Sequence, residues 1–98
     1  MKNPIRSKQQ ALSFPNESRS FDEKRARVCF WAYDSAIEIS FYIEANTLKE
    51  LSPKMDHTEP GILQAFDAVR EQVHDIANKI YARGEKGTYA YTLLAEDI

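Results

Sequence analysis

The chain has 98 residues, 43% hydrophobic and 29% charged, which fits one globular domain with a single core and excludes an intrinsically disordered chain. One cysteine excludes an internal disulfide, and no apolar run approaches the length of a membrane span. The net charge of −2 is unevenly spread: seven basic against three acidic side chains up to Arg27 give +4, and the rest of the chain carries −6. The basic start has no apolar core of a secretory signal, so a cytoplasmic protein is expected.

Residues 1–13 read as a flexible N-terminal tail and 14–98 as the single domain. "MKNPIRSKQQ" is polar, without periodicity and interrupted by Pro4. Phe14 is a lone apolar anchor before the turn-forming "PN". Ser18 to Phe21 is expected as a short edge strand, joined to the next strand by the charged turn "DEKR".

The hairpin is the clearest element. Ile37, Ile39, Phe41 and Ile43 alternate with Glu38, Ser40, Tyr42 and Glu44, a period of two that puts the apolar set on one face. "RVCFWAY" before it is rich in strand formers, and Asp34 and Ser35 between them are turn residues. A turn centred there pairs Val28 with Phe41, Phe30 with Ile39 and Ala32 with Ile37, so every inward pair is apolar.

Thr47 and Glu50 have capping-box spacing, predicting a short helix over Leu48 and Leu51 that stops at Ser52-Pro53. Met55 to Glu59 is expected to be exposed. A long helix follows from about Pro60 to Arg83, with Gly84 just past its end. Ile62, Phe66, Val69, Val73, Ile76 and Ile80 form its apolar stripe, and Asp67, Glu71, Asp75 and Asn78 its wet face. "GEKG" turns the chain into a last strand, "TYAYTLLA", and "EDI" is expected to fray.

These elements predict a two-layer α+β fold: an antiparallel sheet covered on one face by the long and short helices. The expected strand order is 2-1-3, with the first hairpin strand central and the C-terminal strand beside it.

The hairpin's other face then carries Arg27, Cys29, Trp31, Tyr33, Glu38, Ser40, Tyr42 and Glu44. Three large aromatics on an uncovered sheet face are more than scattered exposed residues. Three readings follow. The N-terminal segment folds across it, with Phe14 and Phe21 on Trp31; or the face is a protein interface, most simply a homodimer; or it stacks single-stranded nucleic acid, with Arg27 and the basic arm on phosphates. Glu38 and Glu44 count against the last. Arg27, Trp31, Tyr33 and Tyr42 are the candidate interaction surface.

Arg70 and His74 lie one turn apart at the edge of the helix stripe. Arg70 is expected to snorkel, its stem on the core and its head in water. The pair is also a candidate contact for an anion, since a guanidinium matches carboxylate or phosphate. Cys29 and His74 are not expected to meet as a nucleophile pair, because they face opposite sides of the sheet. Asp56, His57 and Glu59 in "MDHTE" are weak metal-ligand candidates without a second cluster. Neither a metal nor another cofactor is expected, no catalytic constellation is found, and an enzyme is not expected.

"FP", "SRSFD", "VCFWAYDSAIEISF", "AFD", Arg70 and "YARG" together resemble domain-of-unknown-function family 1488, over roughly Phe14 to Tyr91. The resemblance implies a small single-domain α+β bacterial protein. It brings no reaction, cofactor or site residue, and it implies that "FPNESRSF" belongs to the fold. The expected function is a non-catalytic, homodimerising or protein-binding module. The alternative is a nucleic-acid-binding accessory protein, and no membrane association is expected.

Overall fold

The alternating hairpin organises the molecule, seen in a computed structural model that describes residues 12–15, 17–84 and 87–98. Strand β1 (Arg19–Asp22) leads to β2 (Arg27–Asp34) and β3 (Ile37–Glu44). Helices α1 (Ala45–Leu51), α2 (Glu59–Ala68) and α3 (Arg70–Arg83) follow, then β4 (Ala90–Leu93) and a 3₁₀ turn, Ala95–Asp97. The architecture is α+β in two layers, as the sequence predicts, and the helices cover one face of a four-stranded sheet. Glu85 and Lys86 of the expected "GEKG" turn, and the expected tail up to Ala11, lie outside the described residues.

The strand order is β1-β2-β3-β4, not 2-1-3. The physical reason lies in β1. It pairs antiparallel with β2, setting Arg19 opposite Phe30 and Phe21 opposite Val28, so both edges of β2 are occupied. The returning strand takes the free edge of β3 instead, where β4 runs parallel, with Phe41 beside Tyr91 and Ile43 beside Leu93. The sheet is therefore mixed. Among the described residues its only parallel pair joins the strands connected through the helical layer, as a parallel crossover requires.

The hairpin register differs from expectation by two residues. Val28 faces Ile43, Phe30 faces Phe41 and Ala32 faces Ile39, and the turn is Ser35-Ala36 rather than Asp34-Ser35. A slip of two preserves the faces, so Val28, Phe30, Ala32, Ile39, Phe41 and Ile43 still point inward, but Ile37, expected in the core opposite Ala32, lies beside the turn opposite Asp34 and is 49% exposed. Ser35 takes the positive φ of 56° that a tight hairpin turn needs. Asp34 stays in β2, and the Tyr81 hydroxyl donates to its carboxylate, which pushes the phenol pKa up to about 12.

Val28, Phe30, Ala32, Ile39, Phe41 and Ile43 are almost completely buried against Leu48, Ile62, Phe66, Val73, Ala77 and Leu93. Three aromatic rings meet in this core: Phe30 stacks on Phe41 (5.3 Å between centroids) and lies tilted against Phe66 (5.2 Å). Leu12 is also buried, and Ser13 exchanges two backbone hydrogen bonds with Tyr33 (2.8 and 2.9 Å). The folded part of the chain thus includes two residues assigned to the tail by composition.

The single long helix is two helices. Val69 interrupts it with φ −113° and ψ 23°, its N–H shared between the carbonyls of Ala65 and Phe66. The break has a clear use. It lets α2 lie against β1 and β2 while α3 turns toward β4. A straight helix of that length would run for roughly 36 Å, past the edges of a sheet whose four strands span only ~15 Å between outer axes. At its start, the Thr58 hydroxyl accepts from the Gly61 N–H (3.1 Å) and Pro60 sits in the first turn. At the far end a Cβ on Gly84 would come within 2.5 Å of the Tyr91 hydroxyl, so a larger residue there would have to displace the Tyr91 ring.

Three smaller expectations change. Helix α1 begins at Ala45, before Thr47, and its first N–H is satisfied by the Ala26 carbonyl (2.8 Å) rather than by a capping box. Met55 is buried, filling space under the α1–α2 connection. The C-terminus is tied down: Asp97 accepts from the Leu94 N–H (2.8 Å) and from Arg83 (3.1 Å).

Candidate functional site

Two places in this framework hold the residues singled out from sequence, one on each side of the sheet. On the outer side, the β2–β3 register sets Arg27 beside Glu44, Cys29 beside Tyr42, Trp31 beside Ser40 and Tyr33 beside Glu38. Arg27, Trp31, Tyr33 and Tyr42 do share one face, and all four are half-buried. The Arg27 guanidinium lies 3.9 Å over the Tyr42 ring, and its Nε donates to Asp22 (3.1 Å). Stacked and ion-paired, it is a fixed rather than a free cation. Burial raises the Asp22 pKa, but the Arg25 N–H and the Arg27 guanidinium outweigh it and hold the carboxyl below the usual range.

The N-terminal segment does not lie over this face in the way expected. Phe14 stacks on His74 (3.8 Å between centroids, 7° between planes), on the helix side of the sheet. Phe21 has the same parity as Arg19 and points inward opposite Val28. Two-residue alternation therefore keeps both phenylalanines away from Trp31. All three helices also pack on the Phe30 side, so no described helix or strand covers the outer face.

On the inner side, Arg70 and His74 lie one turn apart as expected, but His74 stacks on Phe14, which was expected on Trp31, and Arg70 is held in a different state. Arg70 does not snorkel. Its side chain is only 13% exposed, and its Nη2 donates to Asp67. Asp67 also receives both arms of Arg19 (Nε and Nη2, each 3.0 Å), so one carboxylate holds two guanidiniums from opposite layers. Arg19 and Asp67 escape sequence reasoning. The Asp67–Arg70 spacing is a helical i,i+3 signal, but Asp67 reads as wet face, and the partnership with Arg19 needs the fold.

His74 is half-buried between Phe14 and Phe30 (5.9 Å). Burial first, and then the nearby Arg70 guanidinium, lower its pKa. A lowered folded pKa means that the unfolded chain binds the proton more readily. His74's contribution is therefore complete above about pH 6.5 and is lost as the pH falls through the folded value. The stability of the wild type should fall between pH 7 and pH 5, and His74→Phe, which keeps the stack on Phe14, should flatten that slope. Urea melts at the two pH values measure it; identical slopes would remove His74 as the cause. Cys29 and His74 sit on opposite faces and form no pair.

A mixed four-stranded sheet, backed by three helices and crossed by an arginine–aspartate–arginine tie, defines a small two-layer α+β domain. The model of DUF1488, a protein family of unknown function, matches residues 12–93, and the chain belongs to that family. The crystal structure of a DUF1488-family protein of unknown function from Shewanella loihica PV-4 has the same fold. It has a TM-score of 0.70 at 20% identity, over 83% of this chain and 91% of that one. No curated protein matches this chain. Among the described residues, no helix is long and apolar enough to cross a membrane.

Proposed function

We propose that the protein is a non-catalytic binding module whose outer sheet face joins two copies of the chain. The observation that carries this reading is the half-buried surface of Trp31, Tyr33 and Tyr42, beside an arginine already fixed by its own neighbours. Aromatic side chains with few rotamers to lose suit an interface core. The charges favour a second copy. Arg27 lies at one end of the hairpin and Glu38 at the other, with Trp31 near the middle. A two-fold axis across the strands brings Arg27 of each copy to Glu38 of the other and the two tryptophans together.

A nucleic-acid platform is less well supported. Glu38 and Glu44 share this face and would repel a phosphate backbone.

Trp31→Glu tests the reading. Native mass spectrometry and sedimentation should find a concentration-dependent dimer in the wild type and a folded monomer in the variant. A wild type that stays monomeric at every concentration overturns it, as does a dimer that survives the substitution. If Trp31→Glu does not fold, Arg27→Glu and Glu38→Arg take its place: each alone should weaken the dimer, and together they should restore it.

A further inference from the structure

The segment before β1 is held to the body by few contacts. Leu12 is buried, and Ser13 forms an isolated bridge to Tyr33, outside the four strands, through two backbone hydrogen bonds (2.8 and 2.9 Å). Phe14 lays its ring flat on His74, 3.8 Å between centroids, and lies 6.4 Å from Phe30. Strands β2 and β3, by contrast, pair along eight residues each. Segments with so few buried contacts open before the rest of a fold does. His74 is a titratable side chain in the seat of this segment, between Phe14 and Phe30.

We propose that residues 12–14 form an acid-released strap: protonation of His74 frees them while the sheet and the three helices stay folded. A neutral imidazole stacks between two phenylalanine rings as another aromatic would. An imidazolium in the same place gives up its hydration, and it also meets the Arg70 guanidinium one turn back on α3. Arg70 is itself tied to Asp67 at the end of α2 and, through it, to Arg19 of β1. Asp75 from the same helix and Glu17 from the segment before β1 pull the other way without offsetting these effects, and β2 contributes Phe30, which carries no charge. Moving Phe14 off the ring lets water reach the imidazolium. Release also bares the Tyr33 N–H and carbonyl at the edge of β2, and so opens an edge that another extended chain can pair with.

Hydrogen exchange of the full chain at pH 7 and pH 5, followed by NMR and corrected for intrinsic rates, tests this, with the His74 ring titrated alongside. The Ser13 and Tyr33 amides should exchange through an opening of their own, faster than those of Phe30 and Phe41 at both pH values. Their protection should fall about threefold or more on acidification. In His74→Phe, which keeps a ring against Phe14, it should stay level. Phe14→Ala should fold, leave the two amides weakly protected at both pH values, and bring the His74 midpoint up toward its ordinary value. The proposal is overturned if the Ser13 and Tyr33 amides keep their protection at pH 5, if they exchange only together with Phe30 and Phe41, or if His74→Phe shows the same loss as the wild type. A wild-type His74 midpoint above the ordinary imidazole value also overturns it, because the Phe14 ring would then be holding the imidazolium in place. Should His74→Phe fail to fold, Phe14→Ala decides, and an unchanged His74 midpoint there overturns the strap. The ring stack lies on the helix side of the sheet, so the outcome is independent of the dimer.

Discussion

Val73→Asp should leave the chain without a cooperative unfolding transition. Val73 is completely buried on α3, against the apolar face of the sheet. The substitution removes ~1.5–2 kcal/mol of apolar burial. It also forces a carboxylate to be desolvated, or protonated, with no partner at hand, which costs several kcal/mol more. A domain of this size is stable by only about 5–15 kcal/mol, so the two losses consume most or all of it. Glu71→Ala, two residues away on the wet face, is the control and should move the melting midpoint little. Circular dichroism during heating separates the two. A sharp transition in Val73→Asp within a few degrees of the wild type would mean that α3 does not seal the core as described.

Asp67→Ala should cost less at neutral pH, but in a way that depends on acid. The substitution leaves Arg19, 30% exposed, and Arg70, 13% exposed, facing one another without their shared carboxylate. Partly buried charges that lose a partner cost roughly 1–3 kcal/mol here, below the value for a fully buried pair because water still reaches Arg19. The hydrogen bonds from Arg19, aided by the charge of both arginines, hold the Asp67 carboxyl below its usual range. A depressed carboxylate stabilises the fold fully above about pH 4 and loses that contribution as the pH falls through the folded pKa. The wild type and Asp67→Ala should therefore differ most at pH 7 and converge in acid. Urea melts across that range are the measurement. Curves that stay parallel down to low pH would show that the tie contributes nothing through its charge.

Much of the fold was legible because alternation and helical periodicity report which side chains are buried, and burial dominates the energetics. The inward set Val28, Phe30, Ala32, Ile39, Phe41 and Ile43 follows from parity alone. Parity is blind to a slip of two. Asp34 looked like a turn residue, but its carboxylate is held in the strand by Tyr81, a partner 47 residues away. The strand order was missed for a related reason. The short β1 is weak in sequence, yet by taking one edge of β2 it decides where β4 can go. Val69 is apolar and helix-compatible, so nothing local marks the break there. The candidate surface on β2 and β3 was readable from the same alternation, whereas the Arg19–Asp67–Arg70 tie was not. Its pieces stand in "SRSF", "AFD" and Arg70, but their meeting is tertiary.

The parallel pairing of β3 with β4 has a consequence for how stability is distributed. The β2–β3 pair closes through Ser35 and Ala36 alone, whereas β3 and β4 are separated by everything from Ala45 to Tyr89. Chain entropy makes the second closure costlier by roughly 3 kcal/mol if that stretch is treated as a free loop. The penalty shrinks only when α1, α2 and α3 are already packed and span the distance for the chain. Leu93 and Tyr91, in turn, complete the packing around Phe41 and Ile43 only once β4 has docked. Helical layer and last strand thus depend on each other, and the domain has no stable half: fraying at its C-terminal strand draws on the cohesion of the entire molecule.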